Sequence, residues 1–471
     1  MLVSRFQEEL QRDTVVHALI TTMKTAGRAV LFSAASVFFG LMGILFIPLP
    51  IFSSIAIGAM MVLTVSVLLT LTLVPALLSV LWPAIQAESK PLSAIRTKNI
   101  WYSMSLYVMK RPIRMGLLAS FLLIICILPL NKMKLAIPDA ASLPQDYHSR
   151  MAFEAYQTHF VSQTSSDVYI VAQGKTHDLN KDDWLNAYAL IQRLESDPNV
   201  QRVDSVFSSL RMPPEQLYFI FQKPILKTKY ELAVQQFVTE NRMLIRVAVK
   251  GEPSSKKVKS WLRFWEQEGE SSNLHFRLGG EAKYQQEVFD DIFQNIKFVL
   301  LFILISNYVV LFIAFRSVLI PLKTIVMNLL SLGASFGILV WIFEQGHFGM
   351  EPNSIAIMIP VFIFGLVFGI SMDYGVFLVS RIFEVYQQTR DNGRAVLVGL
   401  SSISRIINPA ATIMIAVTVP FAFGEVVGVK QLGIGIAAAI FIDATIIRMV
   451  LVPSLMKMLG KWNWWVPGWL K

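Results

Sequence analysis

The stretch FGISMDYGVFLVSR, residues 368 to 381, sets an aspartate inside a run otherwise fit for the middle of a lipid bilayer. An ionisable group near the centre of a spanning helix costs about 2.5 to 3.5 kcal/mol on insertion scales, and such residues mark ion or proton pathways. Asp373 lies eight residues before Arg381, about 12 Å at helical rise and well inside a hydrocarbon core about 30 Å thick. A carboxyl at that depth can be neutral or charged near physiological pH according to its partners, as a proton carrier requires. Tyr374 adds a hydroxyl that can donate or accept, while Ser371 and Gly375 keep the surroundings small. Upstream, Gly365 and Gly369 have the GxxxG spacing that suits helix packing.

A cation at matching depth occurs in the last span. In FIDATIIRMVLVP, Arg448 lies nine residues before Lys457. Two roles are open to it: a local pair with Asp443, five residues deeper, or a direct part in the relay, where a cation favours the ionised form of Asp373. Asp443 could instead line a polar cavity. Asn408 and Pro409, in the preceding span, either interrupt its hydrogen bonding or pack against this region.

The elements that must position these groups follow from composition. The 471 residues are 54% hydrophobic and 16% charged, with mean hydropathy +0.54, far more apolar than a soluble protein. Apolar runs at about 29 to 47, 51 to 82, 115 to 130, 297 to 315, 317 to 343, 354 to 379, 406 to 424 and 431 to 456 predict eight spans. The polar region 132 to 292 holds 20 Lys and Arg against 21 Asp and Glu, so the net charge of +10 arises wholly in membrane-proximal segments. That distribution speaks for topology and against a nucleic-acid partner. Arg5, Arg12, Lys24, Arg28, Lys90, Arg96, Lys110, Arg114, Arg316, Lys323, Arg381 and Arg394 fall on one side, whereas the opposite turns contain one lysine. The positive-inside rule therefore puts both termini in the cytosol and the polar region outside.

The fold class expected is a polytopic α-helical membrane protein with one extracytoplasmic α+β domain. Its parts are a cytosolic amphipathic segment (1–28), two spans closing a first repeat (29–83), a cytosolic loop (84–114), a span (115–131), the outer domain (132–292), five spans of a second repeat (293–456) and a cytosolic tail (457–471). In the amphipathic segment, Phe6, Leu10, Val16, Ile20 and Met23 recur at roughly helical spacing. The outer domain shows DVYIVAQG, a helix near 181 to 195 and NVQRVDSVF, then RMLIRVAVKG, a helix near 254 to 268 and NLHFRLGG. Two β-α-β units of this size predict a split ferredoxin-like sandwich, with 209 to 240 as a mostly helical excursion. Its Tyr218, Phe219 and Phe221 are candidates to contact cargo or to pack the core.

The chain also repeats itself. At an offset of 376, MLVSRF with Arg5 and Glu8 meets FLVSRI with Arg381 and Glu384, and LTLVPALLSVL meets MVLVPSLMKML one or two residues out of step. The repeat places the counterpart of Asp373 four residues before Met1, and the expectation is of an N-terminally truncated chain whose first three spans, most of a fourth and any first outer domain are missing.

No Walker loop, nucleophile elbow or metal-ligand spacing occurs, so an enzyme is disfavoured, no cofactor is expected, and protons rather than ATP are the expected energy source. The single cysteine, Cys126, falls in an apolar run, so disulfides play no part.

GISMDYGVFLVSRIFE, FIDATIIRMVLVPSLMKMLG, the closing KWNWWVPGWL and the domain flanks PDAASLPQDYHSRMAFEAYQTHF and LGGEAKYQQEVFDDI resemble the MMPL family of the RND superfamily. The resemblance implies a bacterial inner-membrane exporter of hydrophobic or lipidic molecules, driven by protons. It implies twelve spans in two repeats, each with a porter-like domain, and Asp-Tyr pairs in the fourth and tenth spans. Asp373 and Tyr374 match the tenth-span pair, and Phe377 the aromatic residue one turn further on. The fourth-span pair is lacking here. The partners expected are membrane lipids, a lipidic cargo, and a separately encoded N-terminal half or a second copy; the alternative is a non-transporting remnant or scaffold, or a related protein for secretion or sterol-like lipid sensing.

The topology is checked by single cysteines. A cysteine at Ser208 is expected to react with a membrane-impermeant maleimide from outside, and one at Ser93 only from the cytosol; the reverse pattern would invert the assignment.

Overall fold

The computed structural model describes residues 2–11, 13–87, 100–159, 165–223, 230, 234–272 and 274–465; the side chains of 84–87, 100–102, 373, 374, 403–408 and 461 are also outside the description. The chain forms two compact units, Met1–Pro144 with Gln294–Lys471, and Gln145–Phe293.

The first unit opens with α1 (Leu2–Leu10) and α2 (Val15–Thr22), which runs through a π-helical turn, Met23–Gly27, into α3 (Arg28–Ile44). Then come α4 (Pro50–Ala87), α5 (Ile100–Lys110), α6 (Pro112–Ile127) and the short β1 (Leu135–Ala136). The second unit holds α7 (His148–His159), β2 (Ser165–Gln173), α8 (Lys181–Ser196), β3 (Val200–Asp204), α9 (Val206–Leu210), α10 (Pro214–Gln222), β4 (Val238–Thr239), β5 (Arg242–Lys250), α11 (Lys256–Ser271) and β6 (His275–Gly279). It ends within α12 (Glu281–Phe315), after which the first unit resumes with α13 (Leu319–Phe343), β7 (Ile355–Ala356), α14 (Met358–Thr389), α15 (Asn392–Ala422), α16 (Val427–Ile442), a π-helical segment Asp443–Leu451 and α17 (Val452–Leu459).

Among the described residues, seven helical paths are long and apolar enough to cross a membrane. The remaining run expected, 406 to 424, falls on α15, whose residues 409–422 form a shorter apolar helix and whose side chains at 403–408, Arg405 and Asn408 among them, lie outside the description. Pro409 sits within α15, and the helix continues through it. The N-terminal segment differs from the single amphipathic helix expected. α1 ends at Leu10, a new helix starts from its N-cap at Thr14, and Val15 to Ile44 then form one apolar path of 30 residues. Phe6, Leu10 and Ala18 pack on Leu78 of α4, whereas Val16 and Ile20 stay exposed.

Small residues set the helix spacing in this unit. α3 and α14 cross where a Cβ on Gly369 would fall 2.9 Å from the Cα of Val37, and one on Gly40 would lie 3.0 Å from the carbonyl oxygen of Gly365. Contact between backbones at this range is open only to residues without a side chain. Gly337 of α13 meets α6 more closely still, its missing Cβ pointing at the carbonyl of Cys126. β1 and β7 pair in parallel, and Gln431 clasps the second strand by accepting from Ala356 N and donating to the Ser354 carbonyl.

In the second unit the sheet order is β3-β5-β2-β6, antiparallel throughout, with β4 added on β5. Leaving β4 aside, this is the arrangement of a split β-α-β sandwich. β2 alternates buried Ser166, Val168, Ile170 and Ala172 with exposed neighbours, so one face of the sheet receives α8 and α11 through Trp184, Leu190, Leu194, Trp261 and Leu262. α8 starts at a reciprocal cap between Asn180 and Asp183, and α11 at Ser255. In the excursion, Tyr218 and Phe221 of α10 pack on this core, with Phe221 4.7 Å from Trp184 between ring centres, while Phe219 is exposed beneath Lys223.

A methyl group tests the α3–α14 crossing. Gly369→Ala is expected to lower thermal stability in detergent by about 1–3 kcal/mol, as overpacked contacts do. Gly58→Ala, where nothing lies within 4 Å, is expected to leave it unchanged or raise it.

Candidate functional site

The backbone of α14 carries Asp373 and Tyr374, whose side chains lie outside the description. What surrounds them on that helix is well defined. Met372 and Val376 are buried, the hydroxyl of Ser371 donates to Asn328 Oδ1 at 2.9 Å, and Gly375 faces Thr324, where an added Cβ would meet its methyl group at 3.5 Å. Asn328 belongs to a polar stripe on α13, Thr324, Asn328, Ser331 and Ser335, all buried. Thr324 donates to its own helix at Ile320, and Ser331 donates to the Ala439 carbonyl of α16. This stripe is not among the residues expected from sequence. Its signal was there: spacings of four, three and four residues place the four on one face of an otherwise apolar run.

Asp443 and Arg448 form a buried pair, each 3% exposed. Arg448 donates to Asp443 Oδ2 through Nε at 2.9 Å and Nη2 at 2.6 Å. Its Nη2 also donates to the main-chain carbonyl of Ser371, so the guanidinium joins the last span to α14 two residues before Asp373. The local pair with Asp443, one of the two roles open to Arg448, is thus present. The reason is local. Five residues along an α-helix turn through roughly 500°, which puts the two side chains on opposing faces. The π-helical winding of Asp443–Leu451 slows that rotation and returns position i+5 to the same face.

A second cluster lies two turns further along α14. Arg5 pairs with Glu8 at 3.0 Å and with Glu384 at 3.1 Å; Arg381 pairs with Glu384 at 2.8 Å and with Glu8 at 3.4 Å. The four charges alternate around a closed ring, which Arg5 extends to Glu9 at 3.0 Å. These are the residues of the two SR-x-x-E repeats, seen in sequence as similar and found in space as partners. Glu8 and Glu384 hold the Arg5 guanidinium in its charged form against the cost of its partial burial. Phe377 is half-buried between this ring and the Asp373 level.

Among the described residues, no group of three His, Cys, Asp or Glu side chains could hold a metal ion.

A family model described as MMPL family matches residues 1–115 and 141–469. The trehalose monomycolate exporter MmpL3 of Mycobacterium tuberculosis is 28% identical over all of this chain and 51% of its own length. The mycolic acid-containing lipids exporter MmpL11 of Mycolicibacterium smegmatis is 29% identical over all of this chain and 48% of its own, and a probable transport protein MmpL11 of Mycobacterium leprae is 31% identical over all of this chain and 45% of its own. The chain thus spans about half the length of the curated relatives it matches. In fold it is similar to the hedgehog release protein Disp of the water bear Hypsibius dujardini, with TM-score 0.67 at 14% identity over 98% of this chain and 61% of that one. The translocon-associated membrane protein SecDF from Thermus gives TM-score 0.52 at 12% identity over 98% and 52%.

Truncating one member of a buried ion pair strands the other, at a cost of about 3–5 kcal/mol. Arg448→Met is therefore expected to lower thermal stability in detergent by that amount, and the double variant Arg448→Met/Asp443→Leu to recover most of it. Equal losses in the single and double variants would mean that the guanidinium acts mainly on the Ser371 carbonyl.

Proposed function

The chain belongs to the MMPL family, and on that footing we propose that it carries the proton-coupling apparatus of an exporter of hydrophobic or lipidic molecules. It is a multi-pass protein of the bacterial inner membrane. The observation that carries the proposal is the position of the Asp373–Tyr374 pair in a helix fastened on both sides of it, by Arg448 at the Ser371 carbonyl and by the charge ring at Arg381 and Glu384.

In the cycle proposed, Asp373 takes up a proton from outside and becomes neutral. The helices carrying the two repeats then rearrange, and the proton leaves to the cytosol. Tyr374 orients the carboxyl. Arg448 acts as a positioning residue that fixes the α14 backbone, with Asp443 holding its charge, and Phe377 separates the Asp373 level from the ionic ring below. Each charge falling through 100 mV supplies about 2.3 kcal/mol, enough to bias a conformational equilibrium roughly 50-fold. The cargo class follows the relatives, which are named as exporters of trehalose monomycolate and of mycolic acid-containing lipids. Because those relatives are about twice as long, the counterpart of their remaining half, on a separate chain or supplied by a second copy, belongs to the same proposal. No enzymatic step is part of it.

The test uses the protein purified from its native membrane together with whatever chains accompany it. In proteoliposomes with an imposed pH gradient, movement of a fluorescent glycolipid is expected to depend on the gradient. Asp373→Asn is expected to abolish that dependence without changing thermal stability, because the amide keeps the shape and cannot titrate. Full gradient-driven movement by the variant would make Asp373 structural.

A further inference from the structure

A cavity of about 410 Å³ opens beside the charge ring. Its charged wall is made by Arg5, Glu8, Lys24, Arg28, Arg381 and Glu384, and its apolar wall includes Phe32, Phe377 and Phe383. Within the ring, two arginines answer two glutamates. Lys24 and Arg28 are exposed at the cavity and have no carboxylate partner among the described residues, so the lining carries two positive charges in excess. One donor inside the ring is also unanswered: the Nε of Arg5 is buried and without an acceptor.

The geometry of the two free cations is that of a receptor for an oxyanion attached to something apolar. Arg28 lies over the Phe32 ring at 5.4 Å, a stacking that leaves the in-plane N–H groups of the guanidinium free to donate. Lys24 precedes it by one turn. The same helical path presents Ile20 and Leu31, 45% and 51% exposed, one turn before Lys24 and one turn after Arg28. From Lys24 and Arg28 to Phe32 and Leu31 the surface passes from cationic to apolar, the order met from headgroup to acyl chain along a charged lipid at the boundary of the hydrocarbon core. The positive-inside distribution assigns this level to the cytosolic leaflet.

We propose that this cavity is a binding site for an anionic phospholipid of the inner leaflet, with its phosphodiester against Lys24 and Arg28 and its glycerol and acyl region against Phe32 and Phe377. The glutamates of the ring favour a singly charged phosphodiester over a free dianion. Occupancy would fill the space beside Phe377 and tie the α2–α3 path to the charged end of α14. This inference does not rest on transport, and its test reads binding alone.

Protein in neutral detergent is titrated with short-chain phosphatidylglycerol, with phosphatidylcholine of the same chain length, and with inorganic phosphate, and bound lipid is counted by native mass spectrometry. Phosphatidylglycerol is expected to bind in preference to phosphatidylcholine and to resist displacement by inorganic phosphate. Lys24→Gln/Arg28→Gln is expected to weaken it about 30-fold, the loss of two cation contacts at a membrane surface. Thermal stability should be retained, since both residues are exposed. Lys110→Gln/Arg114→Gln, which removes the same charge from another helix end, should leave binding unchanged. Equal weakening in both double variants, no preference over phosphatidylcholine, or displacement by inorganic phosphate at matching concentration would each overturn the site.

Discussion

The membrane unit is organised by one steric constraint, the backbone contact between α3 and α14 at Gly40, Gly365 and Gly369. In lipid there is no hydrophobic gain in bringing two apolar helices together, so close packing and polar contacts must do it. With the helices this near, side chains on either flank are confined to a narrow set of positions. Ser371 is within reach of Asn328, and Arg448 is within reach of the Ser371 carbonyl. Further along α14, the SR-x-x-E segment meets its sequence copy on α1. Widening the crossing by a methyl group would loosen each of these contacts in turn.

Polar groups in this unit sit where the backbone lets them be satisfied. The Asp443–Arg448 pair carries a large desolvation cost, offset by two hydrogen bonds within the pair and one to a main-chain carbonyl. Such an arrangement contributes more to specificity of position than to net stability. It fixes the rotation of the last span about its own axis relative to α14, because a guanidinium fork that must meet a carboxylate and a carbonyl together admits little rotation.

Much of this was legible beforehand. Seven of the eight apolar runs fall on helical paths long enough to span, and strand alternation in DVYIVAQG and RMLIRVAVKG gave the two strands at the centre of the second unit's sheet. The offset of 376 matched Arg5 to Arg381 and Glu8 to Glu384. Three things were harder to read, each for a physical reason. The Asp443–Arg448 pair was one of two readings; the wider π turn that unites residues a 3.6-residue period sets apart was not foreseen. The polar stripe of α13 shows in its residue spacing and not in composition, since four small polar side chains barely lower the hydropathy of a 25-residue span. The amphipathic pattern of 5 to 27 mixed two surfaces: Phe6 and Leu10 answer to α4, while Val16 and Ile20 belong to the start of a long apolar path.

The charge ring has a consequence for how the two copies of the repeat can diverge. Each glutamate serves the arginine of its own copy and that of the other, so a reversal at any one corner sets like charges side by side on two edges at once. No single second substitution repairs both edges, because the two neighbours of each corner lie in different copies; compensation requires changes in both. Drift at Arg5 or Glu8 is thereby coupled to drift at Arg381 and Glu384, across more than 370 residues of intervening sequence. Two duplicates that could otherwise have aged separately are held, at these four positions, to a common history.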